Sequence, residues 1–230
     1  MDLEHEKAVA ARASMRFVHD GQVVGLGTGS TAAYMLRFLG ERVRAGLKIR
    51  GVPTSDQTAD VARSLNIPLT TLQDTPQVDV TIDGADEVDP QLHLIKGGGG
   101  ALFREKIVAR ASRKMVVIAD STKQVPLLGK FPLPVAVLAA QEETSAQAIR
   151  AMGASAQRRE KAGKVFITDE GYHILDCCFG RIPDPAGLAQ ELKQIEGVMD
   201  TGLFINLADV ALIARGNEVI ELVRKDPKPA

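Results

Sequence analysis

Three observations predict an α/β fold for this 230-residue chain: a parallel sheet covered by helices, with a smaller α+β lobe. Strand-like and helix-like segments alternate through its first half, with helical stretches of about ten residues or more. The strand-like segments, such as "VVGL" and "KMVVIAD", read as buried, which fits a sheet covered on both faces. Polar clusters recur where those strands end: GTGST, TSDQT, DGADE, KGGGG and DSTK. Ligands of open α/β sheets bind at the carboxyl edge of the strands, so five such loops on one edge predict a site there.

Taken in order, "LEHEKAVAARASMRFV" places Val9, Ala13 and Phe17 on one helical stripe, and Asp20-Gly21 ends it. "QVVGL" (22–26) is a strand opening into GTGST. A helix over 32–45 spaces Tyr34, Leu36, Leu39 and Val43 for burial. "KIRGVP" (48–53) is a strand, after which Thr54, Ser55 or Asp56 can cap the helix "QTADVARSL". Strands are predicted over 79–83 and 92–96, a helix over 101–112 and a strand over 114–120. Beyond Pro126, Pro132 and Pro134 the elements shorten: helices at 144–152 and 185–196, strands near 165–168, 174–178, 198–205 and 208–214. The expected organisation is a Rossmann-like α/β domain over 1–130 and 206–230, interrupted by a small α+β lobe over 131–205.

Composition narrows the function. Apolar residues make up 45% and charged residues 25%, an ordinary globular mix. With no Trp and two Tyr the core must be aliphatic. Lys and Arg (28) balance Asp and Glu (29), so no basic field invites nucleic acid. The adjacent Cys177 and Cys178 are too constrained for an ordinary structural disulfide, which predicts a reducing compartment. The opening residues lack a signal-peptide pattern, and no apolar run approaches the ~20 residues of a membrane-spanning helix. A soluble, cytoplasmic protein is expected.

The loops carry the chemistry. In "GLGTGST" (25–31), three glycines allow close backbone approach, and Ser30 and Thr31 sit where a helix begins, a combination that suits a phosphate. The spacing is G-x-G-x-G, not the G-x-G-x-x-G of dinucleotide sites, so no nicotinamide cofactor is expected; a tight turn with a Ser or Thr cap is the structural alternative. In "IDGADEVD" (82–89), Asp83 closes a strand and Asp86 follows two small residues. Two nearby carboxylates fit hydroxyl binding, proton shuttling or metal ligation. The four histidines (His5, His19, His93, His173) show no ligand spacing, which disfavours a metal. A solvated acidic turn suits Glu87 and Asp89 better than Asp83. In "KGGGGALFREK" (96–106), Lys96 ends a strand, the glycines present N–H groups, and Glu105 falls about one turn into the next helix. An isolated glutamate there would be an exposed helix charge; the neighbouring acidic and glycine loops argue for a site. Lys123 follows a further strand end, where a solvated loop lysine is the alternative.

Together "GLGTGSTA", "TSDQT", "DGADEVD", "KGGGGALFREK", "IADSTK" and "LGKFPLPVAV" resemble type A ribose-5-phosphate isomerase, and "ITDEGYHILD" and "GVMDTGLF" extend the likeness over nearly the whole chain. The resemblance implies interconversion of ribose 5-phosphate and ribulose 5-phosphate without metal or cofactor, by a cytoplasmic homodimer or homotetramer. By position it implies three substrate-binding loops: Thr28, Gly29, Ser30 and Thr31; Asp83, Gly84, Ala85 and Asp86; and Lys96, Gly97, Gly98 and Gly99. It further implies Glu105 as catalytic base, Lys123 as a substrate-binding lysine and Lys7 near the phosphate. Asp83, Asp86 and Lys96 are expected to assist catalysis, Lys96 beside the developing enediolate charge. Gly100 stands where some members carry alanine, and the doubled cysteine matches no family role. A sugar-phosphate-sensing module, a hexosamine-phosphate deaminase and an acyl-CoA transferase are the competing assignments. Intact Glu105, Asp83 and Asp86, and no attached DNA-binding segment, argue against the first. The joint presence of DGADE and KGGGG argues against the other two.

Overall fold

A computed structural model describes residues 2–225. Helix α1 (Leu3–Ser14) begins at Asp2, whose carboxylate accepts the His5 N–H at 3.1 Å. It ends in a 3₁₀ turn, Met15–Phe17. Its fully buried side chains are Glu6, Ala10, Ala11 and Ser14, whereas Val9, Ala13 and Phe17 pack only partly buried on its flank. Next come β1 (Val23–Leu26), α2 (Ser30–Arg44), β2 (Arg50–Pro53), α3 (Asp56–Ser64) and β3 (Val78–Gly84). Of the three possible caps of α3, Ser55 serves, its hydroxyl accepting the Thr58 N–H at 3.0 Å.

The chain continues through β4 (Glu87–Val88), β5 (Leu94–Ile95), α4 (Leu102–Arg110), β6 (Ser112–Asp120) and a 3₁₀ turn, Ser121–Lys123. Then follow β7 (Leu133–Val137), α5 (Glu142–Ala151), β8 (Ser155–Arg158), β9 (Glu160–Lys161), β10 (Lys164–Val165), β11 (His173–Cys178) and α6 (Pro185–Lys193). The last elements are β12 (Val198–Thr201), β13 (Leu203–Phe204), β14 (Val210–Arg215) and β15 (Glu218–Val223).

The main sheet has strand order β15-β14-β6-β3-β1-β2, parallel throughout except for β15. Alternate residues of β6 face opposite cores. Val116 and Ile118 meet α1 and α2 residues such as Ala10 and Leu39, while Met115, Val117 and Ala119 meet Leu94 and Phe204. A second, antiparallel sheet (β12-β7-β11-β8) packs with α5 and α6 around Val135, Val137, Ile149 and Leu192. A third, β13-β5-β4, lies between them.

Several elements differ from expectation for local reasons. The strand expected over 92–96 shrinks to Leu94–Ile95 and joins the third sheet, because Asp89 folds residues 89–93 into a turn. Its buried carboxylate accepts from Gln91 N–H (2.9 Å) and His93 N–H (2.8 Å). Glu87, also expected to be solvated, is buried and accepts Gly129 N–H (2.7 Å) and Phe131 N–H (2.6 Å). The 198–205 strand is two strands in different sheets, divided at Gly202, where a Cβ would lie 2.3 Å from the Lys96 carbonyl oxygen. Near 165–168 only Lys164–Val165 is strand, paired with β9. β15, an edge strand of alternating polarity, went unrecognised in "EVIELV". Cys177 is buried and Cys178 exposed, both as free thiols.

Close packing of β1 on β3 yields a testable expectation. A Cβ on Gly27 would stand 2.2 Å from Asp83 Oδ1 and 2.6 Å from Asp83 Cα. Gly27→Ala should therefore lower stability by about 1–3 kcal/mol in chemical denaturation.

Candidate active site

Beyond the carboxyl ends of β1, β3 and β6 lies a cavity of ≈ 210 Å³. It is lined by Thr28, Gly29, Ser30 and Thr31 from the first loop and by Gly84, Ala85 and Asp86 from the second. Lys96, Gly97, Gly98 and Gly99 form another wall, and Glu105 and Lys123 complete it. Asp83 lies beneath, fully buried. TSDQT does not reach the cavity. Its Thr54, Ser55 and Thr58 hydroxyls lie 2.8, 2.8 and 3.0 Å from Thr28 Oγ1, turning that hydroxyl into the fold and bracing the first loop. Lys7 is not part of the lining; it pairs with Glu4 at 2.6 Å.

Gly29 occupies the N-cap of α2 with φ +114°, a conformation other residues adopt only under strain. No side chain among the described residues caps this helix, so its first N–H groups and the Ser30 and Thr31 residues present a partly positive, donor-rich surface. That end of the cavity suits an anion. The opposite wall is acidic. Asp86 Oδ2 accepts the Gly98 N–H at 2.8 Å, which places the carboxylate loop and the glycine loop side by side.

Lys96 is the centre of the site. Although 2% exposed, its ammonium has three oxygen neighbours: Gly84 O at 2.6 Å, Glu105 Oε1 at 3.1 Å and Asp83 Oδ2 at 3.0 Å. The last is close enough to pair, although it is not aligned as a hydrogen bond. Asp83 Oδ1 accepts Gly84 N–H (2.7 Å) and Thr28 N–H (3.2 Å) and so joins the first two loops. Glu105 Oε2 is buried and has no hydrogen-bond partner among the described residues.

One ammonium thus faces two buried carboxylates, and burial together with the charge excess sets their protonation. Burial, reinforced by the nearby Asp83 charge, raises the Glu105 pKa to about 8 despite Lys96. Burial raises Asp83 as well, against the pull of Lys96. For Lys96 burial opposes the charge, but Asp83 and Glu105 outweigh it and hold the group above its ordinary range. A carboxyl group that can exchange its proton near neutral pH is what general acid–base catalysis needs.

Four supports escaped sequence reasoning. Glu6 of α1 accepts Ser121 N–H (2.9 Å), Ser121 hydroxyl (2.7 Å) and Gly216 N–H (2.9 Å), fixing the turn that carries Lys123. Arg159 from the second sheet's side binds the carbonyls of Gly97 (2.7 Å) and Gly98 (3.1 Å). Next to Glu105 on α4, Arg104 bridges Asp56 (2.9 Å) and Glu170 (3.1 Å). Its other neighbour, the buried Lys106, pairs with Asp200 at 2.6 Å. In sequence each resembles an ordinary surface charge. Only burial separates Glu6 and Lys106 from one.

A sheet-edge cavity that combines an uncapped helix end suited to an anion with a buried carboxyl group of raised pKa points to the class: an α/β enzyme. The family model for ribose 5-phosphate isomerase A (phosphoriboisomerase A) matches residues 50–218. Ribose-5-phosphate isomerase A of Parvibaculum lavamentivorans is 50% identical, the match covering 96% of this chain and 100% of the relative. A solved D-ribose-5-phosphate isomerase in complex with phospho-erythronic acid superposes with TM-score 0.94 at 39% identity, covering 97% of this chain and 100% of that one. The Methanocaldococcus jannaschii ribose 5-phosphate isomerase A gives 0.91 at 41% identity over 96% and 99%. The chain belongs to the ribose 5-phosphate isomerase A family.

The shared ammonium makes a clear prediction. Lys96→Met leaves two carboxylates buried without their counter-charge and should destabilise the fold by about 3–5 kcal/mol at pH 8. Both carboxylates have folded pKa values above their ordinary ones, so the deficit should shrink as falling pH protonates them. Denaturation midpoints at pH 8 and pH 5.5 measure both effects; equal deficits at the two pH values would contradict the shared-charge account.

Proposed function

We propose that this isomerase moves one proton between C2 and C1 of D-ribose 5-phosphate through an enediolate, with Glu105 as the general base, yielding D-ribulose 5-phosphate. The observation that carries this assignment is Glu105 Oε2: buried, without a hydrogen-bond partner among the described residues, on a carboxyl group that lines the cavity with a raised pKa. A related isomerase binds phospho-erythronic acid, which like the proposed substrate is a polyhydroxylated phosphate.

In this assignment the phosphate lies at the N-terminus of α2, with the Ser30 and Thr31 hydroxyls and the half-buried Lys123, which pairs with no acidic side chain among the described residues. Asp86, at the cavity wall, accepts from sugar hydroxyls; in ring opening it takes the O1 proton as the C1=O bond forms and the C1–O4 bond breaks, and returns that proton to O4. Glu105 then removes the C2 proton of the open aldose. The C2–H electrons form the C1=C2 bond, and the C1 carbonyl oxygen becomes the enediolate oxygen. Glu105 returns its proton to C1 while the hydroxyl proton passes from O2 to O1, and C2 becomes the ketone. Lys96 acts through its charge, since three protein oxygens already surround its ammonium. Asp83 holds that ammonium in place.

Glu105→Gln preserves size and removes basicity. It should lower kcat by about 10²–10⁴-fold, equivalent to about 3–5 kcal/mol of barrier, with far less change in KM. A variant with near-wild-type kcat would remove Glu105 from the mechanism. Because the base must be ionised, wild-type kcat/KM should rise with pH and level off above about 8, a limb absent from the residual activity of the variant.

Ribulose 5-phosphate formation should also persist in excess EDTA. Asp83 and Glu105 already share the Lys96 ammonium, which occupies the position between them that a divalent ion would take. Loss of turnover on chelation, restored by one divalent ion, would make those carboxylates ligands and overturn the assignment.

A further inference from the structure

The glycine loop cannot hold its own shape. Residues 97–100 are four successive glycines, and a peptide between glycines rotates at little steric cost. One backbone hydrogen bond, Gly100 N–H to Gly97 O at 2.9 Å, closes the turn but leaves the peptide joining Gly98 to Gly99 free to flip. The restraint comes from Arg159. Its Nη1 donates to Gly97 O at 2.7 Å and to Gly98 O at 3.1 Å. The rest of its guanidinium forks onto Asp176, Nε to Oδ2 at 2.9 Å and Nη2 to Oδ1 at 2.5 Å. Its backbone is pinned as well, N–H to Ile174 O at 2.8 Å and carbonyl to Phe166 N–H at 3.0 Å. This arginine is 13% exposed, and four side-chain hydrogen bonds leave it little freedom.

A trans peptide directs its N–H opposite its C=O. With Gly97 O held outward, the Gly98 N–H turns inward to Asp86 Oδ2 at 2.8 Å. With Gly98 O held outward, the Gly99 N–H must turn inward too. Gly99 lines the cavity, and its N–H meets no acceptor among the described residues. We propose that Arg159 is a positioning residue: by holding the Gly97 and Gly98 carbonyls it aims the Gly99 N–H at the sugar oxygen that becomes negatively charged during isomerisation. The cationic guanidinium on the far side of the peptide also polarises that N–H towards the cavity, an electrostatic arrangement formed before the substrate arrives. The inference rests on the isomerase assignment above and adds to it the donor that Lys96 does not supply.

A carboxylate-bearing analogue tests it, because a fixed anion feels a lost donor more strongly than a neutral substrate oxygen does. The variants are Arg159→Met, Arg159→Lys and Asp176→Asn, each checked for its thermal midpoint, with KM for ribose 5-phosphate and Ki for 4-phospho-D-erythronate measured side by side. Arg159→Met should raise Ki about tenfold or more while KM changes less than about threefold, and should lower kcat. Arg159→Lys, which can still reach one carbonyl, should recover part of the loss, and Asp176→Asn should show a smaller shift of the same kind. Where Arg159→Met does not fold, the other two variants read the same ratio. Ki and KM rising together would place the phosphate at Gly99 and overturn the inference, as would folded variants with unchanged Ki. A wild-type protein that does not isomerise ribose 5-phosphate would instead refute the assignment on which the inference rests.

Discussion

A single buried ammonium holds the site together. Lys96 collects the Gly84 carbonyl, the Asp83 carboxylate and the Glu105 carboxylate, which arrive from β3 and α4. Removing any of these charges from water is expensive unless the partner is in place, so each group depends on the others for its protonation state. The same arrangement leaves a charge excess of one carboxylate. Burial, reinforced by that excess, keeps Glu105 able to hold a proton where an exposed glutamate would have lost it. Fold stability and proton chemistry therefore depend on the same three side chains.

The surrounding fold serves to deliver those groups. β1 and β3 lie so close that only glycine fits at position 27, which lets Asp83 reach both Thr28 and Lys96. Behind the first loop a cluster of hydroxyls binds Thr28. Behind the glycine loop stand Arg159 and Phe166, the latter filling the space a Cβ at Gly100 would need. The Lys96 and Lys106 ammonium groups lie 5.5 and 4.9 Å from the ring centre of Phe204, and Lys106 ties α4 to Asp200. The second sheet thus braces the lining from behind, through Asp176 on Arg159 and Asp200 on Lys106.

Much of this was legible because strand-end loops announce themselves. Glycines, hydroxyls and carboxylates are poor choices for strand or helix interiors, so GTGST, DGADE and KGGGG stand out from their surroundings. All but one of the residues expected to bind substrate on those loops line one cavity; the exception, Asp83, lies beneath it. What could not be read was burial produced by tertiary contact. Glu87 and Asp89 looked like a solvated turn, yet each satisfies backbone N–H groups that no local pattern predicts. Arg159 lies in "QRREK", among charges of similar appearance, and its role depends on two carbonyls about sixty residues earlier in the chain. Short strands such as Leu94–Ile95 failed for a related reason, since two paired residues carry no periodicity.

The strand order has a consequence for how the molecule is made. β14, synthesised about ninety residues after β6, lies inside the main sheet between β6 and β15. Until it arrives, β6 presents an unpaired edge running through Met115, Val116, Val117 and Ile118, all of them fully buried in the finished protein. The intervening residues, about ninety of them, build the second sheet first. At about 5–20 residues per second, that interval leaves an apolar strand edge open for several seconds, long enough to pair with another nascent chain. The two Glu6 oxygens close at different times: Oε2 can bind Ser121 as soon as that turn is made, whereas Oε1 waits for the Gly216 N–H, about ninety-five residues later.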